Sequence, residues 1–472
     1  MLELNTDRIQ SLENFGHSLH RSSYYFDMQR EDDIKEVFKL AKKEELTVAL
    51  RGSGRSYGDA SLNGGQILIG FELMNKVLSW DKKNGVIVVE PGVTIEQMWK
   101  HVLEDGWWSP VVPGTMIPTI AGCLASNVHG KNNWVAGTLG EHVIEFEAIL
   151  PSGKKVTCSP KKNKNLFYAM ISGMGMLGIF TSITLQLKPI ETGEVDVLAW
   201  AEPNLAGMIA AVDAHKEEDY VVGWVDCTQR GKNLGRGQIH SASYVKAADG
   251  DSETLKLSHQ ILPDRIMGIM PKGLLYRFMK PFTNDPGTRL VNFGRYMQAR
   301  LLQHNKTVRE SLAAFSFLLD YVPNWELIYG EGGLIQYQSF VPKKNAEDCF
   351  RKILELSQQR GLPSYLGVLK RHRPDPFLLS HAVDGFSLAL DFRVTDANRE
   401  KLAAMLTELD QIVLKHKGRF YFAKDSHVSA KTVRAYLGKK TVEQFKALKA
   451  KSDPHNILQS DLYRRCFLNV NG

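Results

Sequence analysis

The chain has 472 residues, of which 43% are hydrophobic and 24% are charged, and these fractions are typical of folded globular proteins. The length predicts two or three lobes, and the composition excludes a collagen-like, disordered or polytopic membrane protein. Because no apolar stretch reaches the ~18 residues that span a bilayer and the N-terminus carries no basic region followed by an apolar run, we expect a cytoplasmic protein.

The positive charge of the chain is concentrated in one segment. Lys and Arg number 59 and Asp and Glu number 52, a surplus of seven. The segment from Asp264 to Arg309 contains nine basic and two acidic residues, which accounts for the whole surplus. Since the remainder is balanced, we expect no nucleic-acid partner. The five cysteines form no CxxC pair and have no nearby histidine at ligand spacing, so we expect neither a metal site nor a disulfide framework.

The first part of the chain alternates predicted helices and strands. Apolar spacing predicts helices at 32–45, 94–106 with Thr94 as N-cap, and 117–128, which is rich in small residues. Short apolar runs predict strands at 46–50, 66–71, 85–92 and 143–158, the last divided by the turn Pro151-Ser152-Gly153. The region up to Lys188 is thus mixed α and β.

After Pro189 the pattern changes. Alternating apolar residues at 219–227, 333–342 and 385–394 predict a half-buried antiparallel sheet, and a helix follows at 398–416. This change of pattern predicts a second domain.

The stretch from Arg51 to Gly65 contains five glycines directly after a predicted strand. Glycine allows backbone N–H groups to turn toward an anion, and a diphosphate is the natural ligand. Glu72 lies 20 residues after Gly52, as a ribose-binding acid does in a Rossmann fold. However, this glycine-rich connection is unsuited to the crossover helix of such a fold. An irregular surface loop is the alternative.

Two further glycine-rich stretches follow, at 111–143 and 171–187. In the first, Pro113-Gly114-Thr115 precedes a helix whose small residues permit either a flat ligand or tight packing. In the second, the glycines come before a strand, the reverse of the Rossmann order. Three such loops in one lobe together predict a long dinucleotide wrapped by backbone amides.

These loops resemble the FAD-binding fold of the vanillyl-alcohol oxidase superfamily, which has a PCMH-type FAD domain. The matching motifs are RGSGRSYGD from Arg51, Glu90-Pro91-Gly92-Val93, Pro113-Gly114-Thr115, Gly137-Thr138-Leu139-Gly140 and the glycines of 173–179. Within the superfamily the chain more specifically resembles the decaprenylphosphoryl-ribose 2′-oxidases, through ASNVHGKNNWVAGTLGEHV, IQYQSFVP and FAKDS. The resemblance implies an α+β protein with a split FAD domain, 1–188 and 418–472, and an inserted α+β substrate (cap) domain, 189–417, built on an antiparallel sheet.

The resemblance also implies the residues around the cofactor. Many superfamily members attach FAD through a histidine in the first loop, and Arg55 occupies that position, so non-covalent FAD is expected. The implied cofactor-binding residues are Gly52, Ser53, Gly54, Arg55, Ser56, Tyr57, Asn63, Pro113, Gly114, Thr115, Gly122, Ser126, Asn127, His129, Gly137, Thr138, Gly178, Ile179, Tyr421 and Lys424.

Alcohol oxidation by a flavin requires removal of the hydroxyl proton and positive potential near the reduced ring. The resemblance assigns this chemistry to Lys424, His129 and Tyr57, and substrate contacts to Lys131, Gln336, Gln338 and Lys370. Other interpretations are a solvated ion pair between Lys424 and Asp425, a structural role for His129, and a polar outer sheet face at the two glutamines. Phe317, Ser387 and Ala389 depart from the family pattern, so the cavity wall is expected to differ.

The implied activity is oxidation of the 2′-hydroxyl of a polyprenylphosphoryl-ribose to a keto-sugar, the first half of an epimerisation that a separate NADH-dependent short-chain reductase completes. The alternatives are a sugar-lactone or alditol oxidase, a reductase of lipid double bonds like the sterol reductases, and a cofactor-free binding protein. The basic segment is expected either to contact anionic headgroups at the inner face of a membrane or to form a lid that faces solvent.

Overall fold

The computed structural model describes residues 3–266 and 270–468, so residues 267–269 of the basic segment lie outside the described part. The fold is α+β, with mixed small sheets in the N-terminal part and a large sheet in the second part. Among the described residues, no helix is both long enough and apolar enough to cross a membrane.

From residue 3 onward, the described N-terminal part contains eleven strands and five helices. Its elements are β1 Ile9–Glu13, β2 His20–Asp27, α1 Glu31–Lys43, β3 Val48–Arg51, β4 Ile67–Gly70, β5 Val77–Asp81, β6 Val86–Val89, α2 Ile95–Val102, β7 Trp107–Trp108, α3 Ile120–Ala125, α4 Asn133–Ala136, β8 Val143–Ile149, β9 Lys155–Cys158, α5 Lys164–Met170, β10 Ile179–Gln186 and β11 Lys188–Pro189. One sheet has the order β1-β2-β4-β3 and another the antiparallel order β5-β6-β10-β8-β9, while β7 pairs with β11.

The second part is built around eight strands in one sheet. Its elements are β12 Glu194–Glu202, α6 Leu205–Ala214, β13 Tyr220–Val225, β14 Gly237–Tyr244, β15 Arg265–Ile266, β16 Met270–Pro271, α7 Leu275–Met279, α8 Asp285–Gln298, β17 Lys306–Ser311, α9 Leu312–Ser316, β18 Leu334–Pro342, α10 Lys343–Gln359, β19 Leu366–His372, β20 Gly385–Arg393, α11 Arg399–Lys415 and β21 Arg419–Phe420. The antiparallel sheet has the order β17-β12-β14-β13-β19-β20-β18-β21.

The last helices of the described residues are α12 Ala430–Leu437, α13 Lys439–Ser452 and α14 Asp461–Tyr463. Helix α8 continues as a π turn at Ala299–Gln303 and α14 at Arg464–Leu468. Short 3₁₀ turns lie at Thr6–Arg8, Leu103–Asp105, Leu139–His142, Gly231–Asn233, Ser252–Leu255, Leu257–Gln260, Lys272–Leu274, Lys280–Phe282, Leu318–Tyr321 and Trp325–Tyr329.

The connection from β3 to β4 agrees with the expectation that no crossover helix fits there. The two strands are parallel neighbours, yet residues 52–66 between them contain neither helix nor strand. The predicted N-cap of α2 is also present, since the Gln97 amide donates to the Thr94 hydroxyl at 3.1 Å. For the β3–β4 connection and the start of α2, the local sequence was therefore sufficient to predict the structure.

The expectation of a half-buried sheet is wrong for its centre. Every residue of β20 except Arg393 is buried, because α10 contacts β18 and β20 while the other face meets the N-terminal part, where Gln338 reaches His129. Alternation in a sequence cannot distinguish a solvent-facing polar residue from one that lines an internal cavity.

The C-terminal helices pack back on the N-terminal part. The Val48 amide donates to the Ile457 carbonyl at 2.8 Å, and the Gln459 amide donates to the Val48 carbonyl at 2.9 Å. The buried Lys449 ammonium donates to the Met176 carbonyl at 2.9 Å. The two ends of the chain therefore share one packed region.

Candidate active site

A cavity of about 620 Å³ lies between the glycine loops and one face of the large sheet. One side, the loop wall, is formed by residues 52–57, 113–115, α3 and the turn before β10. The opposite side, the sheet floor, is formed by alternate side chains of β13, β14, β18, β19 and β20. The two sides come from distant parts of the sequence.

The first glycine loop presents backbone donors to this cavity. In the described chain, the amides of residues 52–56 donate to no protein acceptor. Gly54 has a φ of 65°, a left-handed conformation that favours glycine. Consecutive free amides in such a loop form a concave anion site. The loop therefore has the geometry that a diphosphate requires.

The C-terminal segment holds this loop in place. The Tyr57 amide and the Ser56 hydroxyl both donate to the Ala423 carbonyl, at 2.9 Å each. Nearby, the Arg465 guanidinium donates to Asp59 at 2.7 Å and to Asp425 at 2.8 Å. A charged group thus ties the two segments together beneath the loop.

The second glycine loop contributes a turn and a helix. Thr115 donates its hydroxyl to Asp320 at 2.7 Å, and the Met116 amide donates to the same carboxylate at 2.8 Å. Helix α3 starts at its N-cap Thr119, whose hydroxyl accepts from the Gly122 amide at 3.2 Å. The small residues of α3 line the cavity, which gives a flat ligand room against the helix.

Lys424 lies at the junction of wall and floor. Its Nζ sits 3.6 Å from the centroid of the Tyr57 ring. Burial lowers the pKa of Lys424, an effect that the charge of Asp391 opposes, and burial raises the pKa of Asp391. Asp391 accepts from the Gln336 amide at 2.5 Å. Lys424 forms no ion pair with Asp425, which binds Arg465 instead.

A hydrogen-bond chain behind the floor has a direction set by the backbone. Asn133 donates from Nδ2 to the Gly137 carbonyl at 2.9 Å and accepts at Oδ1 from the Arg373 amide at 3.2 Å. His372 Nδ1, 3.0 Å from that Oδ1, must therefore donate. Because burial lowers the pKa of His372 well below its usual value, the ring is neutral, and Nε2 accepts from Ser387 Oγ at 2.8 Å.

The donor and acceptor roles in this hydrogen-bond chain can be followed from Ser387 to the cavity. Since the Ser387 hydroxyl donates to His372, its oxygen accepts from Gln338 Nε2 at 3.2 Å. The same amide nitrogen lies 3.2 Å from His129 Nε2. Burial also lowers the pKa of His129 well below its usual value, so His129 accepts at Nε2 and carries its proton on Nδ1. That Nδ1 is buried with no protein partner among the described residues.

Basic side chains from the sheet floor and from neighbouring elements line the cavity. Burial lowers the pKa of Lys131 to about 7 and that of Lys370 to about 8. Burial also lowers the pKa of His240 to about 4, so this imidazole is neutral near pH 7. The Arg295 side chain is exposed, and its guanidinium lies 4.3 Å from the Trp224 ring centroid. The charge of Lys370 contributes to the lowered pKa of Lys131, so these two lysines lie close enough to repel each other.

Most of the residues implied by the resemblance line this one cavity. They are Gly52, Ser53, Gly54, Arg55, Ser56, Tyr57, Pro113, Gly114, Thr115, Gly122, Ser126, His129, Lys131, Ile179, Gln336, Gln338, Lys370, Tyr421 and Lys424. Gln336 and Gln338 face the cavity together, as their spacing in a strand predicts. The structure therefore brings the three chemical candidates, Lys424, His129 and Tyr57, into one place.

Five of the implied residues lie outside the cavity wall. Asn63 donates to the Ile67 carbonyl at 2.7 Å, and Asn127 accepts from the Gly140 amide at 3.1 Å. The other three are Gly137, Thr138 and Gly178. Thr138 belongs to a capping box, and Gly178 packs near Met170 and Leu150. In the structure these residues hold the loops in shape.

The departures from the family pattern have different positions. Ala389 lines the cavity, and Ser387 lies behind it in the hydrogen-bond chain. Phe317 is fully buried beside Trp99 and Trp108 rather than on the cavity surface. Only Ala389 and Ser387 therefore change the surroundings of the cavity.

Sequence reasoning missed several residues of the site, namely His240, Trp224, Arg295, Asp391, His372 and His381. Two of them carried a signal. Asp391 shares a strand face with Ala389, and His372 shares one with Lys370, because side chains two apart in a strand point the same way. His381 is buried, and neither of its ring nitrogens has a hydrogen-bond partner in the described chain. Its ring centroid lies 4.3 Å from that of Tyr421. It lies in an irregular segment with no local pattern.

The wall fits FAD on structural grounds. Besides the free amides, buried polar atoms that have no protein partner in the described chain include Arg55 Nε, Ser61 Oγ and His129 Nδ1, all from cavity-lining residues. A diphosphate on the loop amides and a flat ring between α3 and Tyr421 would supply partners and contacts there.

Comparison with known proteins agrees with this fit. Residues 23–159 match the family model described as FAD binding domain. The chain is 30% identical over 443 residues to decaprenylphosphoryl-beta-D-ribose oxidase of Mycolicibacterium smegmatis, and this aligned region covers 92% of each protein. It is 29% identical over 188 residues to a D-lactate dehydrogenase of Anaerostipes hadrus, 38% of this chain and 39% of that protein. It is 25% identical over 176 residues to D-arabinono-1,4-lactone oxidase of Yarrowia lipolytica, 36% of this chain and 33% of that protein.

Proposed function

Because the chain belongs to the FAD-binding, PCMH-type oxidoreductases, in the family that contains decaprenylphosphoryl-beta-D-ribose oxidase, we propose that it oxidises the 2′-hydroxyl of a polyprenylphosphoryl-ribose to a keto-sugar. A separate NADH-dependent short-chain reductase then completes an epimerisation. FAD-dependent oxidoreduction is the general activity; the lipid-linked sugar is the proposed substrate.

The basic side chains of the cavity carry this proposal. Lys370 of β19, Arg295 of α8 and Lys131, which precedes α4, all line the cavity. A phosphodiester has a charge that these cations neutralise, and charge-assisted hydrogen bonds from Lys and Arg to phosphate are strong. A neutral alditol or lactone gains nothing from three such groups. The cations therefore favour a phosphorylated sugar.

The side chains support a division of roles. When bound, FAD supplies the acceptor for the hydride that leaves the alcohol carbon. Gln336 and Gln338 orient the sugar hydroxyls from the floor. His129 Nε2 already accepts from Gln338, and its Nδ1 carries a proton, so His129 donates a hydrogen bond. Lys424 is thus the group that takes the hydroxyl proton at Nζ, and its lowered pKa suits this role near neutral pH.

We also propose that the FAD domain is split, formed by 1–188 and 418–472, with 189–417 as the substrate domain. The contacts of Val48 with Ile457 and of Arg465 with Asp59 support this division. FAD is bound without a covalent bond, since Arg55 stands at the attachment position and its guanidinium lies 5.0 Å from the Phe15 ring centroid. Acid precipitation is expected to leave the flavin in the supernatant; flavin in the pellet contradicts this part.

The test of the substrate is turnover of farnesylphosphoryl-ribose with a dye as electron acceptor. The matched control is the farnesyl riboside without phosphate, and free alditols and sugar lactones complete the set. We expect kcat/KM to be at least tenfold higher with the phosphate, on the order of one charge-assisted contact. Preference for a lactone, an alditol or an isolated lipid double bond would assign the enzyme to one of the other reactions of the superfamily.

A further inference from the structure

Exposed apolar side chains are concentrated in one part of the surface. Of the sixteen exposed large apolar residues in the described chain, ten lie between Ile261 and Leu318. Single exposed apolar residues are ordinary, whereas a contiguous set marks a contact surface. This part of the chain therefore has apolar area that the fold itself does not bury.

The exposed residues follow helical spacing. Leu274, Phe278 and Phe282 recur every four residues through α7 and its flanking turns, and Phe278 is 58% exposed. On α8 and its π turn, Leu290 is 63% exposed and Leu301 is 67% exposed. Residues three and four apart lie on one helix face. Each helix thus presents an apolar stripe outward.

These stripes are additional to the packing of the helices. Helix α8 already buries a separate face, formed by Thr288, Asn292 and Tyr296. The exposed residues Leu290 and Phe293 therefore do not belong to the face by which α8 packs against the rest of the protein. An exposed apolar face that is separate from the buried face of a helix is the kind of surface that marks a contact outside the chain.

Basic residues that form no ion pair in the described chain flank the stripes. Arg277, Lys280, Arg289, Arg300 and Lys306 form no ion pair with any described residue. The acidic residues of the segment are Asp264 and Asp285. Each basic residue near an anionic membrane contributes about 1 kcal/mol of binding. Apolar stripes between unpaired cations match a bilayer with anionic headgroups better than they match a protein surface.

The same helix reaches the active site. Arg295 of α8 lines the cavity and stacks on Trp224, and Leu318, which is exposed, also lines the cavity. Helix α8 therefore carries both one of the two stripes and a residue that lines the cavity. A ligand whose phosphate lies near Arg295 has a short path for an apolar tail to that surface.

We propose that residues 270–306, here called the docking surface, lie on the surface of anionic membranes, with Phe278, Leu290 and Leu301 inserted between the headgroups. Delivery of a lipid-linked substrate from the bilayer to the cavity also rests on the proposed function; attachment to the bilayer does not.

The experiment measures sedimentation of the FAD-loaded, full-length protein with vesicles, in the absence of substrate. The vesicles contain phosphatidylcholine alone or with phosphatidylglycerol. The surface variant is Phe278→Ser, Leu290→Ser and Leu301→Ser combined. The matched control replaces three apolar residues of similar exposure elsewhere, Leu73→Ser, Leu78→Ser and Ile144→Ser.

The wild type and the control are expected to bind the phosphatidylglycerol vesicles at low salt and to be released at high salt. The surface variant is expected to bind at least tenfold more weakly, with unchanged FAD content. Equal binding of the two variants overturns the proposal. Loss of a dimer in the surface variant, without vesicle binding by the wild type, also overturns it and assigns the surface to a second copy. Substrate identity affects neither outcome.

Discussion

The loop wall and the sheet floor of the cavity present different chemistry. The wall offers backbone amides from continuous stretches such as residues 52–56, whereas the floor offers side chains from five strands that are far apart in sequence. Amide donors depend on backbone conformation, but a floor of side chains depends on residue identity at each position. The wall therefore suits a cofactor that a whole family shares, and the floor suits a substrate that differs between members.

The largest effect on the division between loop wall and sheet floor is expected from Lys424→Met, since Lys424 lies at their junction. Methionine retains the length and removes the charge and the proton acceptor, so we expect kcat to fall by on the order of 10²–10³-fold. FAD content is expected to stay normal, since the amides of the wall are intact. The control is Lys431→Met, an exposed lysine of the same segment. A folded, flavin-loaded Lys424 variant with the wild-type kcat would contradict the assignment.

A test of the wall alone compares two glycines with the same backbone strain. Gly54 and Gly65 have φ values of 65° and 70°. A Cβ at Gly54 would lie 2.3 Å from the Arg51 guanidinium, whereas a Cβ at Gly65 meets nothing within 4 Å. Arg51 cannot easily yield, because it donates to the Glu13 carbonyl at 2.9 Å.

Both alanine variants are therefore expected to lose about 1–2 kcal/mol of stability from the left-handed backbone. Only Gly54→Ala is expected to raise the dissociation constant of FAD, by roughly tenfold, because the loop amides move together. Isothermal titration of the apoprotein with FAD measures this difference. Equal affinities in the two variants would mean that the first loop does not hold the cofactor.

The wall was also the part that the sequence predicted best. Glycine spacing, the Pro113 turn and the Thr94 cap each depend on only a few consecutive residues, so they can be recognised in the sequence itself. The β3–β4 connection without a helix followed from its glycine content alone. The PCMH-type fold and FAD were accordingly recognisable before any contact was known.

The floor was predicted less completely, because its contacts join residues far apart in sequence. Gln336 and Asp391 meet only because β18 and β20 pair in one register, and His240 reaches the cavity through β14. Nothing near Arg295 in the sequence distinguishes it from the other cations of its segment. The half-buried expectation failed for the same reason: the second face of the sheet lines an internal cavity, across which Gln338 of β18 reaches His129 of the N-terminal part.

The charge of the two cavity lysines, Lys131 and Lys370, is testable through pH. A lysine is charged below its pKa, and burial lowers the pKa of Lys131 to about 7 and that of Lys370 to about 8. A phosphodiester keeps its charge throughout this range. The ratio of kcat/KM for the phosphorylated and phosphate-free substrates is therefore expected to fall about tenfold between about pH 6 and pH 9.

The ratio removes the effect of Lys424, which acts on both substrates alike. In Lys131→Met the fall near pH 7 is expected to disappear while the fall near pH 8 remains, which a full pH profile resolves. A ratio that does not change with pH would mean that these lysines do not recognise the phosphate.

The smallest expected effect tests the hydrogen-bond chain behind the floor. Ser387→Val and Ser387→Thr add nearly the same volume at a fully buried position, but only threonine keeps a hydroxyl between His372 and Gln338. Without it the Gln338 amide has no fixed direction, and one hydrogen bond of about 1 kcal/mol is lost from substrate binding. We expect KM to rise about fivefold in the valine variant relative to the threonine variant, with kcat and FAD content equal. A shared loss in both variants would instead reflect crowding at position 387, and the direction derived from Asn133 would then have no role in binding.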